Sequence, residues 1–140
     1  MKILHIYKHA IPEAMGGIEP VIDNLATAQA AAGHDVVVMA LTKYGKASSV
    51  KRNGYEVHLT KTVLSIGSTP FAWAYFCRLW RIGKKFDVIN AHAPFPFADL
   101  CVLLCGLASR TVVTYHSDIV RQRVLRLIYK PLMNLFSSKV

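Results

Sequence analysis

A chain of 140 residues with 53% hydrophobic content, six Phe and six Tyr is one domain or part of a larger one, with enough apolar mass for a real core. No fixed-period repeat is present, which excludes a solenoid, and the longest apolar runs fall short of the roughly 20 residues that span a bilayer. The net charge is +9, split into −2 over residues 1–42 and +11 over residues 43–140, so the second part should attract an anion: nucleic acid, anionic lipid or a phosphorylated ligand.

Residues 2–7 are a short, mostly apolar run and predict a buried strand. His5 and Lys8 interrupt it and no small-residue cleavage pattern follows, so it does not read as a signal peptide. His5 lies inside the strand, where packing is its expected role. After a loop containing Pro12, Gly16-Gly17 leads into a helix with Pro20 in its first turn. Its expected apolar face is Ile18, Val21, Ile22, Leu25, Ala28 and Ala32. Two glycines there allow left-handed backbone angles and a close approach, and the helix's unpaired N–H groups would point at an anion. Plain turn chemistry fits the same residues. Gly33 stops the helix, with His34 beside it as a capping group, and Val36 to Leu41 is a continuous apolar strand. Together these make a βαβ unit with parallel pairing.

Residues 42–54 are polar and predict a mobile loop that closes on an Asn53-Gly54 turn. Tyr55 to Leu59 predicts an outer strand. Thr69 and Pro70 are expected as N-cap and first residue of a helix running to about residue 82, rich in Phe71, Trp73, Tyr75, Phe76, Leu79 and Trp80. Such a helix is either buried all round or exposes a docking patch. Phe86 to Ala91 predicts a strand that leads to His92 and a Pro94-Phe95-Pro96 turn. An apolar helix over 97–108 and a buried strand over 111–115 follow, ending at His116-Ser117-Asp118. A last helix, 119–136, carries Arg123, Arg126 and Lys130 on one face and is interrupted at Pro131. This alternation predicts an α/β fold: a Rossmann-like open, mainly parallel sheet with helices on both faces. Ligands bind such sheets at the carboxyl ends of the strands. That edge would bring together Gly16-Gly17, His92 and His116-Ser117-Asp118.

The dinucleotide fingerprint GxGxxG and the phosphate loop GxxxxGK[ST] are both absent, which disfavours a dehydrogenase and an NTPase. No GxSxG elbow, HExxH or acid cluster with metal-ligand spacing exists, so neither a self-contained hydrolase nor a metal site is expected. Cys101 and Cys105, one helical turn apart in an apolar run, read with Cys77 as reduced packing, which favours the cytoplasm. No helix-turn-helix, RNA-binding sheet or zinc finger is visible, so nucleic acid is not the expected partner. His116 is placed to donate a hydrogen bond to a sugar hydroxyl or to set its ring against a ligand. Asp118 would accept from a hydroxyl or from the imidazole, or cap the last helix. His92 carries the same choice between ligand contact and satisfying the loop. Arg123, Arg126 and Lys130 are either a solvated face or a contact for anionic lipid headgroups or a lipid-linked phosphate.

Taken together, Met1-Lys2-Ile3-Leu4-His5, Gly16-Gly17-Ile18-Glu19, Ala32-Gly33-His34-Asp35-Val36, Phe86-Asp87-Val88-Ile89 and Val113-Thr114-Tyr115-His116-Ser117-Asp118 resemble a family-four retaining glycosyltransferase. Bacterial mannosyltransferase-like members that build surface polysaccharide are the nearest in character. One departure is Asn90, where members often have histidine. The resemblance implies a GT-B architecture of two Rossmann-like domains facing across a cleft. Residues 1–140 would be its N-terminal, acceptor-side domain, incomplete at the C-terminus and inactive alone. It further implies that Gly16 and Gly17 lie under the donor diphosphate, His116 at the donor sugar as the catalytic residue, and Asp118 and His92 beside sugar or acceptor hydroxyls. The implied partners are a UDP- or GDP-linked sugar and a glycan or lipid-linked acceptor, with no cofactor and usually no bound metal. A cytoplasmic location, in contact with the inner face of the membrane, and self-association through an exposed sheet edge complete the expectations. Two other classes stay open: a non-catalytic sugar- or phosphate-binding module, and a basic membrane-surface interaction domain.

Overall fold

The structure, a computed structural model, describes residues 1–43, 45–66, 69–116, 131–132, 134–136 and 138–139. Its framework is a six-stranded sheet built on β1 (Lys2–Ile6), β2 (Asp35–Leu41), β3 (Ser48–Arg52), β4 (Tyr55–Thr60), and two later strands. A two-stranded ribbon of β5 (Leu64–Ile66) and β6 (Thr69–Phe71) stands apart from it. The later sheet strands are β7 (Val88–Ala93) and β8 (Thr111–Tyr115). Strand order is β3-β4-β2-β1-β7-β8, parallel throughout except for β3 against β4.

Three helices connect these strands: α1 (Glu19–Ala31), α2 (Trp73–Ile82) and α3 (Pro96–Leu104). From β1 the chain steps through α1 to β2 on one side, whereas α2 and α3 carry it to β7 and β8 on the other. Right-handed crossovers in opposite directions put their helices on opposite faces of the sheet. Both faces are therefore dry. Leu4, Ile6, Val38, Met39, Ile89 and Ala91 are all essentially inaccessible to solvent, giving the continuous apolar strands of a doubly covered parallel sheet. The direction of stepping reverses between β1 and β7, and a crevice opens beyond the carboxyl ends of strands at such a reversal.

The expected α/β architecture is the one found, with six local corrections. Residues 42–54 are not all loop: Asn53 (φ 42°) and Gly54 (φ 86°) make the left-handed pair that a two-residue hairpin requires, folding β3 back on β4. Polar β3 lacks an apolar pattern because it is an edge strand, and β4, expected outside, is interior to the sheet. Thr69 and Pro70 are strand residues rather than a helix start, since proline drives the residue before it to extended angles, and α2 begins only after an extended Ala72. On α1 the buried stripe is Glu19, Ile22 and Ala26, while Val21, Ala28 and Ala32 face outward. Finally, β7 continues to Ala93, so His92 is a strand residue, and β8 is an end strand among the described residues, with Val112, Val113 and Tyr115 exposed.

Two helix ends follow from glycine chemistry. Gly33 takes φ 84°, its N–H reaching Ala30 O (2.9 Å) while His34 N–H reaches Gln29 O (3.1 Å), which satisfies the last carbonyls of α1. Gly106 (φ 65°) ends α3 in the same way, through Leu103 O and Val102 O. The β3–β4 hairpin is tied to α1 by Asp23, which takes two hydrogen bonds from Arg52 (2.7 and 3.1 Å) and one from the Tyr55 hydroxyl.

Candidate functional site

His5, His92 and His116 form a row across three neighbouring strands. In the β1–β7 register His5 stands opposite Asn90, two residues short of His92, and His92 stands opposite Thr114, two short of His116. Alternate residues of a strand share a face, so the three imidazoles lie on one side of the sheet, each one step closer to its carboxyl edge. Gln29, on α1 above that face, closes the inner end.

The contacts run in one line. Gln29 Oε1 is 2.7 Å from His5 Nε2, His5 Nδ1 is 2.9 Å from His92 Nε2, and His92 Nδ1 is 2.8 Å from His116 Nε2. Ring planes are nearly parallel, at 26° and 19°, with centres 5.2 and 5.1 Å apart. Those separations are the N···N distances plus a ring radius at each end, so the rings meet edge to edge. Tyr7, itself buried, walls the row, with its ring centre 6.3 Å from that of His92 and 6.5 Å from that of His116. His5 and His92 are 0% and 1% exposed, whereas His116 is half-buried at the end of β8. Burial is the main cause that lowers the pKa of all three below the usual histidine value. Gln29 partly opposes this at His5, and at His92, flanked by two further imidazoles, it falls to about 3. The row is neutral at physiological pH.

Beside it, at the carboxyl ends of β1 and β2, lies a cavity of about 550 Å³ lined by Lys8, His9, Met15, Gly16, Glu19 and Lys43 among others. Gly16 and Gly17 sit just before α1, but neither takes a left-handed φ. What Gly16 provides is space: a Cβ there would lie 2.7 Å from Glu19 Oε2. Its N–H donates to that same oxygen at 3.0 Å, from two residues ahead of the N-cap, and Ile18 at the N-cap supplies no side-chain bond. Glu19 thus holds one of the N–H groups that an incoming anion would use.

Of the residues singled out in the sequence, Gly16, Gly17, His92 and His116 come to one edge of the sheet. His92 is covered by its two neighbours and reaches that edge only through His116. Asp118, Arg123, Arg126 and Lys130 lie outside the described residues. Sequence reasoning missed His5, Gln29 and Glu19 as site residues. Gln29 had a legible signal, because it continues the Ile22 and Ala26 stripe at helical spacing, where a polar residue needs a buried partner. Asn90 accepts a hydrogen bond from Thr114 Oγ1 (2.8 Å) and is buried in the sheet.

Among the described residues no group of three or more His, Cys, Asp or Glu side chains is arranged to hold a metal ion. The imidazole nitrogens of the row point at one another instead of at a common centre. Cys77, Cys101 and Cys105 are free thiols, and burial pushes Cys101 up to about 12, which keeps it protonated and unreactive.

Residues 15–140 match the family model described as Glycosyltransferase Family 4. The chain belongs to that family. Over all 140 residues it is 40% identical to the D-rhamnosyltransferase WbpZ of Pseudomonas aeruginosa and 39% identical to the O-antigen chain mannosyltransferase C of Escherichia coli. It spans 37% and 38% of the length of those two relatives. The Rossmann-like sheet is that of a GT-B N-terminal half. No helix among the described residues is long and apolar enough to cross a membrane.

Proposed function

We propose that the protein transfers a hexose from a UDP- or GDP-linked sugar to a glycan or lipid-linked acceptor, with retention, in the synthesis of a cell-surface polysaccharide. Membership of the family and the names of the two relatives, a rhamnosyltransferase and a mannosyltransferase, support the reaction class. The single observation that carries the site is the histidine row, which delivers one half-buried imidazole, that of His116, to the crevice edge of the sheet. In this reading the chain is the acceptor-side domain. It gives no turnover without a second, nucleotide-sugar-holding domain, for which its span of the relatives leaves room.

In the reaction the donor's sugar–phosphate bond breaks, the diphosphate leaves with the electron pair, and an acceptor hydroxyl bonds to the same face of the sugar while its proton passes to the departing diphosphate oxygen. His116 contacts a sugar hydroxyl near the reacting carbon and fixes the ring. His92 acts through His116 and does not touch the sugar, and Asp118 stands beside the acceptor hydroxyls. Gly16 and Gly17 lie under the donor diphosphate, whose growing charge is met by backbone N–H groups once Glu19 has moved aside. Arg123, Arg126 and Lys130 contact anionic lipid at the inner face of the membrane, which keeps a lipid-linked acceptor within reach. On α2, Trp73 and Trp80 are 74% and 61% exposed beside Arg81, a combination suited to the same interface.

The test supplies the chain, joined to a second, nucleotide-sugar-holding domain, with UDP- and GDP-hexoses and a lipid-linked glycan acceptor, and follows the linkage formed by NMR. Transfer with the donor's anomeric configuration preserved is expected. An inverted linkage, or hydrolysis of the donor with no acceptor product, would reject the reading.

A further inference from the structure

The hydrogen-bond line from α1 to the crevice has a direction, and one atom sets it. Gln29 Oε1 can only accept, so the proton of its 2.7 Å contact belongs to His5 Nε2. A neutral imidazole carries one N–H, which leaves His5 Nδ1 as an acceptor and makes His92 Nε2 the donor across 2.9 Å. The same step makes His92 Nδ1 the acceptor and His116 Nε2 the donor across 2.8 Å. His116 Nδ1 is therefore left with a lone pair, and among the described residues no side chain takes it. We propose that Gln29, His5 and His92 are positioning residues that fix His116 as the Nε2–H tautomer, so that it presents a hydrogen-bond acceptor, not a donor, to a substrate hydroxyl at the crevice.

This assignment rests on His116 being the sugar-contacting residue and deepens that reading by naming the chemistry the imidazole offers. It reverses the polarity expected from sequence, in which His116 donates. An acceptor at this point selects a substrate group bearing a proton, a free hydroxyl, and rejects an ether or ester oxygen in its place. The reason for a three-ring line is geometric. The residue that fixes a tautomer must contact the other ring nitrogen, and for His116 that nitrogen faces the sheet interior, where His92 alone reaches it among the described residues. The line also has a closed end. Since a glutamine carbonyl takes up no proton under these conditions, a proton entering at His116 Nδ1 can be relayed no further than His5, and the row has no exit at its inner end.

The test reads protonation sites directly, by long-range proton–nitrogen NMR correlations of the imidazoles in the isotopically labelled 140-residue chain at neutral pH. All three rings are expected to show a pyrrole-like Nε2 and a pyridine-like Nδ1. A proton on His116 Nδ1, or tautomer-averaged signals at His116, overturns the proposal. In Gln29→Leu, with a dispersed amide spectrum as the folding control, the His116 signals are expected to move to averaged positions. Unchanged signals there mean that the row does not set the tautomer, and overturn it. Gln29→Glu keeps an obligatory acceptor at the inner end and is expected to restore the wild-type pattern; a reversed pattern is contrary to the proposal, and this variant carries the test if Gln29→Leu does not fold. Because the measurement involves no turnover, it can fail while the transferase reading stands, and the transfer assay can fail while the tautomer order stands.

Discussion

Acid should weaken this domain through His92 before it weakens it through the Asp23 carboxylate. Its folded-state pKa is about 3 against an ordinary 6.5, because the ring is buried between two other imidazoles. For a base whose folded pKa is lowered, the unfolded chain binds more protons throughout the window between the two values. Stability is therefore full above pH 6.5 and falls as pH drops toward 3. At about 1.4 kcal/mol per pH unit, the fall from pH 6.5 to pH 5 costs about 2 kcal/mol for His92 alone. His5 and His116 are lowered in the same direction and add to it. Asp23, whose carboxyl Arg52 holds below its ordinary 3.8, contributes its loss only at lower pH, so pH 5 separates the two effects. The assay is urea unfolding at pH 8 and pH 5 for the wild type and His92→Gln. The difference between the two pH values should shrink by about 2 kcal/mol in the variant. An equal pH dependence in both proteins would mean that His92 titrates as in the unfolded chain, and the buried neutral row would be refuted.

Two other outcomes follow from contacts away from the row. Asp23→Ala removes the acceptor for Arg52 and the Tyr55 hydroxyl, and should cost roughly 1–3 kcal/mol in urea unfolding, with amide exchange rising first in the β3–β4 hairpin. A loss of stability without faster exchange in that hairpin would contradict its role as the tie to α1. Glu19→Gln weakens the grip on the Gly16 N–H, so nucleoside diphosphate should move the Gly16 amide signal at several-fold lower concentration than in the wild type, with an effect that fades in salt. Weaker binding in the variant would show that Glu19 assists the anion instead of competing with it.

The large features were legible because they rest on local signals. The run Val36 to Leu41 and the glycine stop at Gly33 specify a buried strand after a helix whatever the rest of the chain does. Strand β3 was not legible by pattern, since a polar edge strand lacks alternation, although the Asn53-Gly54 turn that creates it was in plain view. The site divides in the same way. His116 could be found because it directly follows a strand, at the edge where such sheets bind ligands. Its link to His5 depends on register across β1, β7 and β8, a property of three segments separated by 87 and 24 residues, which no single stretch encodes. Gly16 was found for a reason that proved different: it gives Glu19 room and does not supply a left-handed turn.

The account stands most directly on His116. In the transfer assay with the second, nucleotide-sugar-holding domain present, a nucleotide sugar and a glycan acceptor, His116→Ala should lower kcat by about 100-fold, and His116→Gln, which retains a hydrogen-bond acceptor, should recover part of that loss. Transfer by His116→Ala at the wild-type rate would contradict the account, because the row of histidines would then end on a side chain the reaction does not use.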